Sequence, residues 1–308
     1  VCNWIYQYIE MGSSQSTINS FDLSNKVVII TGSTDGVGKS LARIISSYNP
    51  KRLILPIRNR KKGELLLEYI KESKDGNVEC IELWDIDLAD LHSVKNFADK
   101  FIKEIGELHY LWNNAGIFCT GLVKTKDNFE QQFQVNHLSH FLLTSLLLPT
   151  IKNSATSESP CKIIHTSSIT QRLGKIDFDN LNGEKSCGFF ELYSNAKLMN
   201  VIYSNEINRR LKGSNVTSTT SHPGFISTNI GPNLIIRNFV MLFAKSPDIG
   251  AINVMYPALD PNIDEGGKYF EDCKEVKPND QALDEDLAKK IWEKSEELLN
   301  NYDASLLK

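Results

Sequence analysis

No two of the six cysteines, at positions 2, 80, 119, 161, 187 and 273, lie at CxxC spacing. The spacing therefore suggests neither a zinc site nor a redox dithiol. Charge of neither sign dominates: 34 lysines and arginines stand against 38 acids, a net charge of −4. Such a balance leaves no electrostatic footprint for nucleic acid. Long hydrophobic runs are missing too. Residues 1–26 include Trp4, Ile5, Tyr6, Tyr8 and Ile9, but they are too short and too broken by polar residues to span a bilayer. They also lack the apolar centre of a signal peptide. No internal repeat, low-complexity tract or linker composition divides the chain. The expectation is an extension over residues 1–23 and one domain over 24–308. The first residue is Val1, so an anchor ahead of it stays open, beside a cytoplasmic location with or without membrane association.

What is present is an alternation. Short apolar runs at Val27–Thr31, Leu53–Ile57, Val78–Leu83, Leu108–Trp112, Lys162–Thr166 and Val216–Thr220 carry no polar alternate face. Strands covered on both sides by helices read in this way. Helix-length stretches lie between and after them, at about 36–48, 60–74, 91–105, 127–152 and 191–212, with a last one at 284–299 that Asp284 can cap. Residues 173–189 read as irregular. The order predicts an α/β fold: a Rossmann-type, doubly wound parallel sheet of about seven strands flanked by helices on both faces.

The first run opens into Thr31-Gly32-Ser33-Thr34-Asp35-Gly36-Val37-Gly38. Glycines permit a tight turn and close backbone approach, and the helix that follows offers unpaired N–H groups to a pyrophosphate. Asp35 is a carboxylate near that anion site, with Lys39 close enough in sequence to offset it. The second run ends Arg58-Asn59-Arg60-Lys61-Lys62, with no acid at the strand end and with Arg58 20 residues beyond Gly38. An acid there holds a ribose hydroxyl, whereas a guanidinium grips a 2′-phosphate. The cofactor expected is NADP(H), in preference to NAD(H).

Tyr193 and Lys197 form a YxxxK on a predicted helix, four residues apart and so on one face. A nearby ammonium is expected to lower the phenol pKa, fitting it to exchange a proton with a carbonyl oxygen. The fifth run ends in Ser167 and Ser168, and the fourth in Asn113-Asn114-Ala115-Gly116, both at the carboxyl edge where such sheets bind ligands.

Taken together, TGxxxGxG, NNAG, serine and YxxxK in this order resemble the short-chain dehydrogenase/reductase family over about residues 24–300. Arg58-Asn59, Asn136-His137-Leu138 with His140-Phe141, His222-Pro223-Gly224 and the Trp292-bearing tail are similar to its retinol dehydrogenase-like and WW-domain oxidoreductase-like branch. The resemblance implies Ser168, Tyr193, Lys197 and Asn136 as catalytic residues, Asn136 through a backbone-held water. It implies cofactor contacts from residues 32–38, Arg58, Asp87, Asn114, Ala115, Gly116, Tyr193, Lys197, Pro223, Gly224 and Thr228, and no metal. A small-molecule carbonyl or alcohol is implied as substrate.

Other features have plainer readings. His137 and His140 are spaced i, i+3 without a third ligand, so helix packing is expected of them. His222 is expected to position rather than to catalyse. The apolar face around Leu138, Phe141, Leu142 and Leu146–Leu148 reads as core, although in this family two such helices can build a homodimer. Leu234–Ala244 is apolar but too short to cross a membrane. It suits a lid over a lipophilic, retinoid- or steroid-like substrate, a membrane-surface helix, or a packed helix. The rival reading is a cofactor-binding or interaction protein on the same fold with little catalysis. NADPH consumption over a carbonyl panel separates the two.

Overall fold

A computed structural model describes residues 22–185, 188–224, 245–260 and 263–302. Strands β1 (Val27–Ile30), β2 (Arg52–Ile57), β3 (Ile81–Asp85), β4 (Tyr110–Asn113), β5 (Cys161–Thr166), β6 (Val216–His222), β7 (Tyr269–Glu271) and β8 (Lys274–Glu275) form one sheet. Its order is β3-β2-β1-β4-β5-β6-β7-β8. Every pairing is parallel except β7 with β8. The eighth strand, beyond the seven expected, is a two-residue return at the edge.

The helices are α1 (Gly36–Ser46), α2 (Arg60–Glu72), α3 (Leu91–Glu104), α4 (Ser139–Ser154), α5 (Phe189–Arg210), α6 (Pro247–Leu259) and α7 (Glu285–Leu298). The β1 run VVII has no polar face because both its faces are covered. Val27 and Ile29 point into a core built with Phe97 and Phe101 of α3, the α4 leucines and Tyr203 of α5. Val28 and Ile30 point to the other side, against Leu41 and Ile45 of α1, Leu66 of α2 and Val254 of α6. The apolar face of α4 is buried core, as expected.

Two elements are displaced from expectation. The third strand starts at Ile81 rather than Val78, because Ile81 N–H turns back to the Val78 carbonyl at 3.1 Å. The stretch 127–152 is not helical from its start: Asn128 sits at φ 66°, and Glu130 caps a short turn, Gln131–Phe133. That turn passes through a π-helical segment, Gln134–Leu138, into α4. Helix α6 and strands β7 and β8 were not read as elements. Asp284 caps α7 by accepting from Asp286 and Leu287 N–H at 3.0 and 2.9 Å.

Candidate active site

The glycine turn and the end of β4 are locked together by one hydroxyl. Thr31 Oγ1 accepts from Asn114 N–H at 2.9 Å and from Ala115 N–H at 3.0 Å. Asn114 Nδ2 returns a bond to the Thr31 carbonyl at 3.0 Å. Gly32 lies at φ +68°, and a Cβ there would meet Ala115 Cα at 2.6 Å. A Cβ on Gly38 would meet the Gly32 carbonyl at 2.0 Å, so both positions exclude a side chain. Asp35 Oδ1 accepts from Gly36 N–H at 2.8 Å and caps α1, so it serves its own helix end. Lys39 Nζ rests 3.8 Å over the Tyr69 ring. Thr34, Gly36 and Val37 complete the turn. Ser33 Oγ is buried there with no hydrogen-bond partner among the described residues.

Helix α5 brings Tyr193 and Lys197 to the carboxyl edge of β5. The Ser168 hydroxyl stands beside the Tyr193 phenol and acts to lower its pKa. Lys197 Nζ lies 5.8 Å from the Tyr193 ring centre and donates to the Thr166 carbonyl at 3.0 Å. Ser167, the adjacent serine, spends its hydroxyl on the Lys197 carbonyl at 2.7 Å. One expectation is corrected. Burial pushes the phenol up to about 12, and the neighbouring Ser168 hydroxyl is what opposes the rise. The Lys197 ammonium does not pull it toward neutrality, and burial lowers Lys197 itself to about 8.

Asn136 joins this group through Gly116. A Cβ at Gly116 would stand 3.0 Å from Lys197 Nζ and 3.3 Å from Asn136 Oδ1. The Asn136 amide clamps Ile117, accepting from its N–H at 2.7 Å and donating to its carbonyl at 3.0 Å. The two helix histidines divide. His137 packs among Phe133, Phe141 and Tyr203. His140 Nε2 lies 3.0 Å from Thr31 Oγ1, and its Nδ1 lies 3.3 Å from the Asn136 carbonyl. His222, at the end of β6, is held by burial at about 4. No metal-binding cluster occurs among the described residues.

Farther along the edge, Arg58 is mostly exposed and lies 4.0 Å from Asp87, so these two sequence-chosen residues face one another. Asp87 also accepts from Ala89 N–H at 2.9 Å. The Pro223 carbonyl accepts from Asn253 Nδ2 at 3.0 Å, and Gly224 takes φ 95°. Thr228 and the Leu234–Ala244 segment lie outside the described residues.

Sequence reasoning passed over an aromatic wall. Phe118 sets its edge against Tyr193 at 5.2 Å between ring centres, and meets Phe189 and Phe190 at 5.7 and 6.4 Å. Gln132, wholly buried, ties the wall together: it accepts from Cys119 N–H and donates to the Phe189 carbonyl, each at 3.0 Å. Leu122, Val123, Leu173, Phe189 and Phe190 are exposed. The usable signal was the position of Phe118, two residues past the NNAG turn.

The sequence matches the short chain dehydrogenase family over residues 26–235. This chain belongs to that family. It is accordingly an NAD(P)-dependent oxidoreductase that acts on CH–OH groups and interconverts alcohol and carbonyl. Relatives place this short-chain dehydrogenase in the retinol dehydrogenase-like branch. It is 37% identical to human retinol dehydrogenase 14, over 89% of this chain and 86% of that protein. It is 38% identical to mouse retinol dehydrogenase 12, over 90% and 87%. Among solved structures, an uncharacterized protein of Mycobacterium paratuberculosis superposes with a TM-score of 0.74 at 28% identity, over 92% of this chain and 97% of that one. A Shigella flexneri short chain dehydrogenase complexed with NADP shares the fold, with a TM-score of 0.61 at 18% identity, over 82% and 99%. No helix among the described residues of this short-chain dehydrogenase is long and apolar enough to cross a membrane.

Proposed function

We propose that this short-chain dehydrogenase uses NADP(H) to interconvert an apolar aldehyde or ketone, retinoid- or steroid-like in character, with its alcohol. The observation that carries the reading is the Tyr193 ring with Lys197 Nζ 5.8 Å from its centre and Phe118 packed on its edge, beside the Ser168 hydroxyl. The turn residues fit a dinucleotide. Gly32 and Gly38 leave no room for a side chain where backbone must come close, and the buried Ser33 hydroxyl is unpartnered beside them. Residues 32–38, with Asn114, Ala115, Gly116, Pro223, Gly224 and Thr228, would hold the cofactor. Asp87 would stand near its adenine, and Arg58 would take the 2′-phosphate.

When bound, the nicotinamide supplies or receives the hydride. The protein's own groups handle the proton and the charge. Tyr193 Oη gives its proton to the carbonyl oxygen in reduction and removes one from the alcohol in oxidation. Ser168 Oγ donates to the same oxygen as negative charge gathers on it. Lys197 would hold the cofactor's ribose hydroxyls and, with a water placed by Asn136, would return a proton to Tyr193. The aromatic wall excludes water and receives an apolar chain.

Tyr193→Phe is expected to lower turnover by at least about a hundredfold while leaving NADPH binding within about threefold. NADPH oxidation over long-chain aldehydes, and NADPH fluorescence titration, measure the two. Turnover close to wild type refutes the assignment. Activity confined to small polar carbonyls refutes the substrate class.

A further inference from the structure

His140 is fully buried and has no part in the chemistry described above. Its hydrogen bonds can be counted. Thr31 Oγ1 has one proton and two lone pairs. Asn114 N–H and Ala115 N–H occupy the lone pairs, at 2.9 and 3.0 Å. The hydroxyl proton goes to His140 Nε2 at 3.0 Å or to the Trp112 carbonyl at 3.2 Å. The Trp112 carbonyl already accepts from Thr31 N–H at 3.0 Å. In either case Oγ1 has nothing left with which to accept. A proton on Nε2 would then face a saturated oxygen at a buried site, which costs free energy.

We propose that His140 carries its proton on Nδ1 and is a positioning residue joining the phosphate-binding turn to Asn136. The proposal rests on the reductase reading and extends it. Nδ1–H then donates to the Asn136 carbonyl, 3.3 Å away. Burial, with the charge of Lys197 adding to it, holds the ring at about 3, so it stays uncharged at neutral pH. The linkage continues in both directions. On the Nε2 side, Thr31 sets the backbone of Asn114 and Ala115 against the glycine turn. On the Nδ1 side, Asn136 clamps Ile117 through both of its backbone groups. Ile117 precedes Phe118, whose edge meets the Tyr193 ring. One imidazole thus spans the distance between the anion-binding turn and the reacting phenol.

The tautomer can be read without turnover. In the full chain labelled with 15N-histidine, two-bond 1H–15N correlations are expected to show His140 protonated on Nδ1. Protonation on Nε2 overturns the proposal. Two substitutions separate the two ends. His140→Asn retains a donor near the Nδ1 position and loses Thr31, while His140→Gln reaches Thr31 and loses Asn136. His140→Asn is expected to weaken NADPH binding about fivefold, with a smaller loss in kcat. His140→Gln is expected to lower kcat about tenfold, with a smaller change in NADPH Kd. Equal effects of the two variants on both quantities, as a merely structural residue would give, overturn the proposal, and so do wild-type values in both. If Tyr193→Phe keeps its turnover, the reductase reading fails by itself, because the tautomer and the NADPH titration still judge His140.

Discussion

At the scale of single residues, Arg58 and Lys197 carry the clearest consequences. Arg58 makes one long ion pair, at 4.0 Å, and is exposed enough to turn toward an anion. Charge-assisted bonds of this kind are worth about 1.5–3 kcal/mol. Arg58→Ala is therefore expected to raise KM for NADPH about tenfold or more and to leave KM for NADH little changed. Steady-state kinetics with both cofactors check this, and a loss shared equally by both would remove Arg58 from cofactor choice. For Lys197, burial lowers the ammonium from 10.5 to about 8. Above about 8 the folded protein loses that proton while the unfolded chain keeps it, so stability from this group rises with pH toward 10.5. Below about 8 the charged form is held at a cost. The Tyr193 phenol stays protonated up to about 12, so carbonyl reduction should decline as pH rises through about 8, following Lys197. Lys197→Met should lose most activity and raise Tm at pH 7; pH–rate profiles and thermal melts test both. The family motif points to Ser168, and the neighbouring Ser167 already commits its hydroxyl to the Lys197 carbonyl. The raised phenol was not legible, because sequence shows that a lysine is near but not how deeply both groups are buried.

Among elements, the β1 end, the β4 end and the first turn of α4, through His140, meet at Thr31. Thr31→Val keeps the shape and deletes the acceptor of two backbone N–H groups. Each buried donor left without a partner costs about 1–3 kcal/mol. The variant should lose several degrees in Tm and bind NADPH several-fold more weakly, as read by calorimetry and fluorescence; unchanged affinity would uncouple Thr31 from the turn. Strands β1, β2, β4, β5 and β6 and helices α1, α2, α3, α5 and α7 were visible as apolar runs or helical spacing. Helix α6 was not. Residues Gly250–Met255 and Pro257–Leu259 are all buried, so the segment lacks the polar stripe by which a surface helix is recognised. Strand β8, two exposed residues long, has no pattern to read.

For the molecule as a whole, the tail helix is bound to α5, which carries Tyr193 and Lys197. Trp292 of α7, almost wholly buried, meets Phe141 at 5.0 Å and Tyr203 at 5.6 Å between ring centres. Removing a buried aromatic ring costs about 3–5 kcal/mol. Trp292→Ala should shift the urea midpoint by that equivalent and make α5 easier to open in hydrogen exchange; a loss under about 1 kcal/mol would show that the tail is not part of the core. By itself the sequence determined the alternation of the first six strands with most of their helices, the glycine turn and the spacing of Tyr193 from Lys197, because these are local patterns of apolarity, turn chemistry and helical period. Only the tertiary structure decided which groups share a buried volume: Phe118 on Tyr193, Gln132 behind the wall, and His140 between Thr31 and Asn136. Those pairings join residues from separate elements, and the desolvation and hydrogen-bond counting that set their chemistry exist only once the chain has closed around them.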